Sequence, residues 1–469
     1  MKRVAIVGGG VAGLAAAYEL ARAAGGGADV QAVLFEASTR LGGIVETVRE
    51  GGFVIECGPD AWVTEKPWAR ELAKELGLGD EVVASKDAGR KTYVLVDKKL
   101  RAMPDGMRMM VPTDLDALDA VEEGAGGLFS AEAKRSYREE LERAGELRAG
   151  APVEDESVAV FVRRHFGEEV LAKIGAPLLS GMLGGDVERL SVRAVLAPFV
   201  AIEREHGSLI AGLQARAAAT EGKEKAAIFT TLRSGLGTLV DRMIAAIPED
   251  WIRMADAVRF VSYGEEGWLV GTARGVERFD GVMMAAPADE ARALLGPVDA
   301  RVAELMEMDA SSAVVVGFGF PDATRFAVPQ GFGFLVPPGS DSLLLACTFM
   351  DQKFDDRVPQ GGRLVRAFFG GAAAERLMRC GNDEIAVVAR MELARVLGPL
   401  PDPQMTVVRR WPRSLPQYGV GHLERMAELM ERVKGLEGLW LLGNGYRGVG
   451  LPDLVRDSRA AAREFVGRA

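Results

Sequence analysis

A glycine triplet set between a strand and a helix constrains this chain more than any other feature. Val4-Ala5-Ile6-Val7 is a short apolar run that reads as a buried strand. Residues 11–24, rich in Ala and Leu, read as a helix ended by Gly25-Gly26-Gly27. Between them lies Gly8-x-Gly10-x-x-Gly13. Gly8 permits a tight turn, Gly10 lets a pyrophosphate approach the backbone, and Gly13 lets the helix pack close to the strand. The helix N-terminus then offers unpaired N–H groups and a favourable dipole to phosphates. Residues 30–35 supply a second strand, so the chain opens as a βαβ unit with a parallel sheet. Glu36 follows, 23 residues beyond Gly13, where a carboxylate can accept hydrogen bonds from ribose hydroxyls. An acid there disfavours a 2′-phosphate and argues against NADP. Glycine turns are common, and this one takes its weight from the strand, helix and acid around it.

The rest of the composition excludes several function classes. At 469 residues there is core for two or three domains, and 48% hydrophobic with 26% charged residues suits a soluble enzyme. A net charge of -10 argues against a nucleic-acid partner but leaves room for a local basic pocket. Cys57, Cys347 and Cys380 lack CxxC spacing, and His165, His206 and His422 are scattered. Neither a disulfide framework nor a metal site is expected. Met1-Lys2-Arg3 runs straight into the first strand, and no apolar run reaches spanning length. The expected location is cytoplasmic, with peripheral membrane contact left open.

Along the chain, residues 113 to about 220 read as mostly helical, with 132–147 a charged, solvated helix and Pro152, Pro177 and Pro198 as punctuation. Residues 222–228 read as a linker. Residues 251–270 alternate as a strand, and 281–286 form another that ends at Pro287. Residues 311–320 and 343–349 read as strands of a separate sheet, and 383–397 as a helix. A last strand at 439–442 enters a glycine-rich turn, with a final helix after Pro452.

Motifs near both ends resemble one group of flavoproteins. Arg40-Leu41-Gly42-Gly43 resembles the RxGG motif of the amine-oxidase and phytoene-desaturase type, and residues 53–59 resemble the strand and turn that follow it. Leu442-Gly443-Asn444 with Gly448-Val449-Gly450-Leu451-Pro452-Asp453 resembles that group's C-terminal signature. The resemblance implies FAD. Arg40 would offer charge to the pyrophosphate, with Gly42 and Gly43 passing close to the cofactor. Amides around Gly450 and Leu451 would face the flavin pyrimidine edge, where a helix N-terminus stabilises negative charge. It further implies that Gly9, Val11, Ala12, Ala37, Gly58, Pro59, Asp60, Val258, Trp411, Val449 and Asp453 line the cofactor.

Three middle blocks are similar to the narrower protoporphyrinogen and coproporphyrinogen oxidase family. They are residues 180–191, beginning Ser180-Gly181-Met182; residues 203–210, beginning Glu203-Arg204-Glu205-His206; and Arg410-Trp411 with Pro416-Gln417-Tyr418 and Gly421-His422. The resemblance implies an α/β plus α+β chain. A Rossmann-like FAD-binding domain would come from 1–90, 225–300 and 405–469, a mixed-sheet substrate domain from 91–112 and 301–404, and a helical insertion from 113–224. It implies hydride transfer from a porphyrinogen bridging carbon to the flavin in three rounds, with O2 reduced to peroxide in haem biosynthesis. Gly181 would place a backbone carbonyl near the pyrrole N–H groups, next to Met182, while Phe334, Leu335 and Phe368 would pack on the ring. No side-chain base is expected, neither His165 nor His422 having a clear claim.

One departure bears on the substrate. Where some members carry an arginine for a propionate, this chain has Thr92, with Arg90 and Lys91 as neighbouring candidates. Tyr93-Val94-Leu95-Val96 and Met103-Pro104 resemble the soluble branch that takes coproporphyrinogen III, the slightly favoured substrate over protoporphyrinogen IX. An amine oxidase, a carotenoid desaturase and a non-enzymatic escort protein of this fold are the alternatives. Transient contact with the next haem-pathway enzyme is left open.

Overall fold

The structure, a computed structural model, describes residues 1–119, 127–219 and 226–467; the linker expected at 222–228 and the boundary at 224/225 lie outside these as far as residue 225. Lys2–Val7 sits at the centre of a five-stranded sheet ordered Ile252–Arg253, Val30–Phe35, Lys2–Val7, Gly281–Met284, Leu439–Leu441. All its pairings are parallel. Val4 and Ile6 pack towards helix Val11–Gly25, Ala5 and Val7 towards helices Ala288–Leu295 and His422–Lys434. Burial on both faces is why the strand reads as an unbroken apolar run.

The C-terminal helix Leu451–Gly467 lies along Val11–Gly25 through Val455, Ala461, Ala462 and Phe465. Between the two helices, buried Glu19 accepts from Arg459 at 2.6 Å, Arg463 at 2.9 Å and Arg22 at 2.5 Å. Burial alone would raise this carboxyl, but the three guanidinium groups outweigh it and hold it down to about 2.

A second, seven-stranded sheet is ordered Met405–Pro416, Ala310–Phe320, Arg363–Phe369, Ala346–Phe349, Gly333–Leu335, Thr92–Val96, Lys99–Ala102. It is mixed, since Gly333–Leu335 runs parallel to Thr92–Val96 and the other pairings are antiparallel. Met405–Pro416, whose residues the expected FAD-binding segments include, is an edge strand of this sheet. This 12-residue strand needs a partner of similar length for its backbone groups, and the 11-residue Ala310–Phe320 provides one. The alternation at 251–270 likewise resolves into three pieces. Ile252–Arg253 joins the parallel sheet, while Phe260–Gly264 and Gly267–Thr272 form a small antiparallel sheet with Gly275–Phe279.

One face of the large sheet buries Val316, Phe318, Phe334, Ala367 and Phe369 against Ile385, Ala389 and Leu393 of helix Asn382–Leu397. The other face meets the helical insertion, whose helices include Ala131–Glu142, Val158–Val170, Ala176–Leu183, Ala197–His206 and Leu209–Ala219. Its core holds Tyr137, Phe161, Phe166 and Ile202. His165 is buried there between Glu140 at 3.0 Å and Glu203 at 3.1 Å. Burial would lower this imidazole, but the two carboxylates outweigh it and its pKa is raised.

Candidate functional site

The glycine turn is close-packed where it must be and open where a phosphate would approach. A Cβ on Gly13 would stand 1.9 Å from the carbonyl oxygen of Gly8. At Gly10, by contrast, the nearest atom to such a Cβ is the Gly43 Cα at 3.9 Å. Gly10 caps helix Val11–Gly25 with no side-chain hydrogen bond, so the amides of buried Val11 and Ala12 begin the helix without a protein acceptor from the cap side chain. Glu36 leaves Val30–Phe35 with one oxygen on the Gly9 N–H and the other on the Ser38 N–H, each at 2.8 Å, beside exposed Ala37. Asp256 N–H donates to the Glu36 carbonyl at 2.9 Å, which draws the chain towards half-buried Val258 alongside.

Arg40 is placed differently from the expectation. Its Nη1 donates to the carbonyls of Leu41 at 2.9 Å and Val45 at 3.2 Å, and its Nη2 to that of Gly43. The guanidinium thus clamps the loop that carries Gly42 and Gly43, and Gly42 N–H reaches the Gly9 carbonyl at 2.8 Å. Its charge shapes the loop from within. The open glycines, the first-turn amides and the carboxylate together fit the ADP portion of FAD.

At the other end, the Gly450 carbonyl accepts from Asp453 N–H at 2.9 Å and Leu454 N–H at 3.2 Å, which starts the last helix at buried Leu451 and exposes Val449. Gly443 opens the preceding turn. The Asp453 carboxylate is taken up by Lys66 at 2.5 Å and Arg456 at 3.3 Å, so it holds the turn in shape. Trp411 Nε1 donates to the Cys57 carbonyl at 2.7 Å. The Gly58-Pro59-Asp60 turn is pinned to the large sheet. Lys353 reaches Asp60 at 2.9 Å, Arg366 reaches it at 3.1 Å, and Arg366 also donates to the Gly58 carbonyl. Burial would raise Asp60, but Lys353 and Arg366 outweigh it and hold it below the usual carboxylate range. Buried Glu56 goes the other way, raised by desolvation despite Arg357 at 3.5 Å.

Where the large sheet meets the helical insertion, one row of side chains is the candidate slot for a flat ligand. Leu335, Ala346 and Phe368 are register partners on neighbouring strands and share one face. Helix Ala176–Leu183 crosses over them, where a Cβ on Gly181 would stand 3.4 Å from Leu335 and 4.0 Å from Ala346. Gly184 ends this helix in the left-handed conformation. The carbonyls of Ser180, Leu183 and Gly184 each accept a hydrogen bond, but among the described residues that of Gly181 accepts none. Met182 is 60% exposed beside it. Arg366 lies over the Phe368 ring at 4.8 Å.

Phe334 is placed apart from the other expected substrate residues. Strand alternation turns it away from Leu335 and into the core with Phe349, 6.2 Å between ring centroids. Arg90 and Lys91 are exposed just before Thr92, which shares a row with Gly333, Thr348 and Arg366. Among the described residues neither Arg90 nor Lys91 has an ion-pair partner. His165 lies in the insertion core and buried His422 behind the glycine-rich turn, so neither faces the slot.

Sequence reasoning missed the Asp60–Lys353–Arg366 cluster, in which Asp60 lies 293 residues from Lys353 and 306 from Arg366. Gln417 and Tyr418 belong to a sequence motif whose contacts only the structure shows. Gln417 donates to the Leu183 carbonyl at 2.9 Å, and the Tyr418 hydroxyl donates to the Asn444 carbonyl at 2.6 Å.

Known proteins are similar to this chain in sequence and fold. Residues 11–465 match the family model described as flavin containing amine oxidoreductase. A coproporphyrinogen III oxidase of Bacillus subtilis (strain 168) is 32% identical over 470 residues, covering 99% of this chain and 97% of its own. The chloroplastic/mitochondrial protoporphyrinogen oxidase 2 of Arabidopsis thaliana is 25% identical over 98% of this chain and 93% of its own. A crystal structure from Exiguobacterium sp. 255-15, provisionally called a protoporphyrinogen oxidase, superimposes with a TM-score of 0.86 at 29% identity, covering 100% of this chain and 99% of that one.

Proposed function

The chain belongs to the flavin containing amine oxidoreductase family, and from that premise we propose that it oxidises a porphyrinogen to the porphyrin in haem biosynthesis. In this reading the substrate is coproporphyrinogen III in preference to protoporphyrinogen IX, and O2 is the acceptor, reduced to H2O2. The cofactor is FAD, which when bound would supply the two-electron acceptor for each round.

The slot carries the reading. A flat, largely apolar macrocycle needs an apolar floor, an acceptor for its N–H groups and cationic groups at its rim. Leu335, Ala346 and Phe368 supply the floor. The unpaired Gly181 carbonyl supplies the acceptor, left over because Gly184 ends the helix before an i+4 amide can reach it. Arg90 and Lys91 stand at the outer end of the row through Thr92, where charged groups remain in water while meeting a carboxylate. Four propionates rather than two favour such an open rim over one buried arginine. The similarity to a coproporphyrinogen III oxidase over nearly the whole chain supports the same preference.

The side chains around the slot are held for positioning rather than for proton abstraction. Lys353 and Arg366 are both engaged with Asp60, and the two buried histidines lie elsewhere. The test is aerobic turnover by FAD-loaded protein. Coproporphyrinogen III should become fluorescent coproporphyrin III with three peroxides formed per porphyrin. Failure with both porphyrinogens would overturn the reading.

A further inference from the structure

Two adjacent residues grip the two halves of the site from opposite sides. Strand Met405–Pro416 ends at Pro416, and Gln417 N–H is fixed to the Asp309 carbonyl at 2.8 Å. The Gln417 side chain then reaches across to the end of the slot helix. Its Nε2 donates to the Leu183 carbonyl at 2.9 Å and to that of Leu415 at 2.8 Å. It fills the space beside Gly185, where a Cβ would meet its Oε1 at 1.9 Å. Leu183 is two residues from Gly181.

Tyr418 turns the other way. Its buried hydroxyl donates to the Asn444 carbonyl at 2.6 Å and accepts from Gly448 N–H at 3.0 Å, closing the turn from both sides. That turn leads directly into Gly450 and Leu451. His422 stacks flat on the Tyr418 ring, 3.9 Å between centroids and 12° between planes. His422 Nε2 lies 3.2 Å from the Tyr446 carbonyl, inside the same turn. The backbone of the pair is anchored as well, with Ser191 N–H donating to the Tyr418 carbonyl at 2.8 Å.

We infer that Gln417 and Tyr418 form a positioning strap that sets the slot helix and the flavin turn in register. Only the substrate half of this rests on the porphyrinogen reading; the cofactor half does not. Neither residue touches a reacting atom. Gln417 acts through the Leu183 carbonyl on Gly181, and Tyr418 acts through the 444–448 turn on the amides at the helix start. Because the two contacts leave neighbouring residues on one strand end, the distance between them cannot relax independently.

The test uses the FAD-loaded full chain with Tyr418→Phe and Gln417→Met, followed by amide hydrogen exchange, the flavin absorption spectrum and steady-state kinetics. Tyr418→Phe keeps the ring stack and removes both hydroxyl contacts. It should speed exchange at 444–448 about tenfold, shift the flavin bands and lower kcat, with exchange at 181–185 unchanged. Gln417→Met should do the converse: about tenfold faster exchange at 181–185, a raised KM and an unshifted flavin spectrum. Exchange and spectrum need no substrate, so they report on the strap even if neither porphyrinogen is turned over. Equal loosening of both segments by either variant, or of neither, with no separation between spectrum and KM, would overturn the strap.

Discussion

The cofactor end and the slot end of this site are made of different materials. Around Gly8 to Gly13 the groups offered to a ligand are backbone amides, and the side chains serve mainly to shape loops, as Arg40 does for Gly43. Around the slot the backbone is locked into sheet pairing, and the shape depends on Leu335, Phe368 and the Asp60–Lys353–Arg366 cluster. Backbone recognition suits a cofactor common to many proteins. Side-chain recognition leaves the floor free to follow one substrate.

That contrast can be broken most sharply at Gly13. Gly13→Ala places a methyl 1.9 Å from the Gly8 oxygen, a contact only the backbone can relieve. Flavin affinity should fall about 100-fold, roughly 3 kcal/mol, measured by titration of the apoprotein with FAD. A silent Gly13→Ala would mean that the turn does not hold the cofactor.

At the slot, Asp60→Asn should lower stability by about 3 kcal/mol in denaturant titration, because Lys353 and Arg366 would stay buried without their counter-charge. Combining it with Arg366→Met should recover part of that loss. Next in size is a pair of neighbours. Phe334→Ala should cost about 3 kcal/mol of stability with KM unchanged, since the ring is core. Leu335→Ala should raise KM severalfold with little loss of stability. The opposite pattern would put Phe334 in the slot.

The two buried histidines give the smallest and most specific effects, because they titrate in opposite directions. Burial pushes His422 down to about 4, so its contribution is full above its ordinary value and is lost as pH falls through about 4. His165 is raised once Glu140 and Glu203 outweigh its burial, so its contribution is full below the ordinary value and is lost as pH rises through the raised one. Amide protection around 422–448 should therefore fall as pH drops, and around 158–170 as pH rises. Glu19, held down to about 2, adds a further acid-side loss at the pairing of the first and last helices.

How far the sequence revealed these regions follows from the same difference in materials. The glycine turn and Glu36 are legible because backbone chemistry needs particular residues at short, set spacings. The parallel sheet is legible because double-sided burial leaves a continuous apolar run such as Val4 to Val7. The slot is not legible in that way. Asp60 and Arg366 meet across 306 residues, and no local pattern records the pairing. Phe334 and Leu335 differ only in strand parity, which has no meaning until the covered face is known. Strand Met405–Pro416 follows the same rule, since its partner 310–320 is remote and the strand that follows it belongs to the other sheet.

The proposed porphyrinogen oxidation joins a backbone-built cofactor site to a side-chain-built candidate slot. Its most direct measurement is a side-by-side aerobic assay of the FAD-loaded protein with coproporphyrinogen III and protoporphyrinogen IX, read by porphyrin fluorescence. The expected result is oxidation of both, with the higher kcat/KM for coproporphyrinogen III. A flavin-loaded protein that oxidises neither would contradict it.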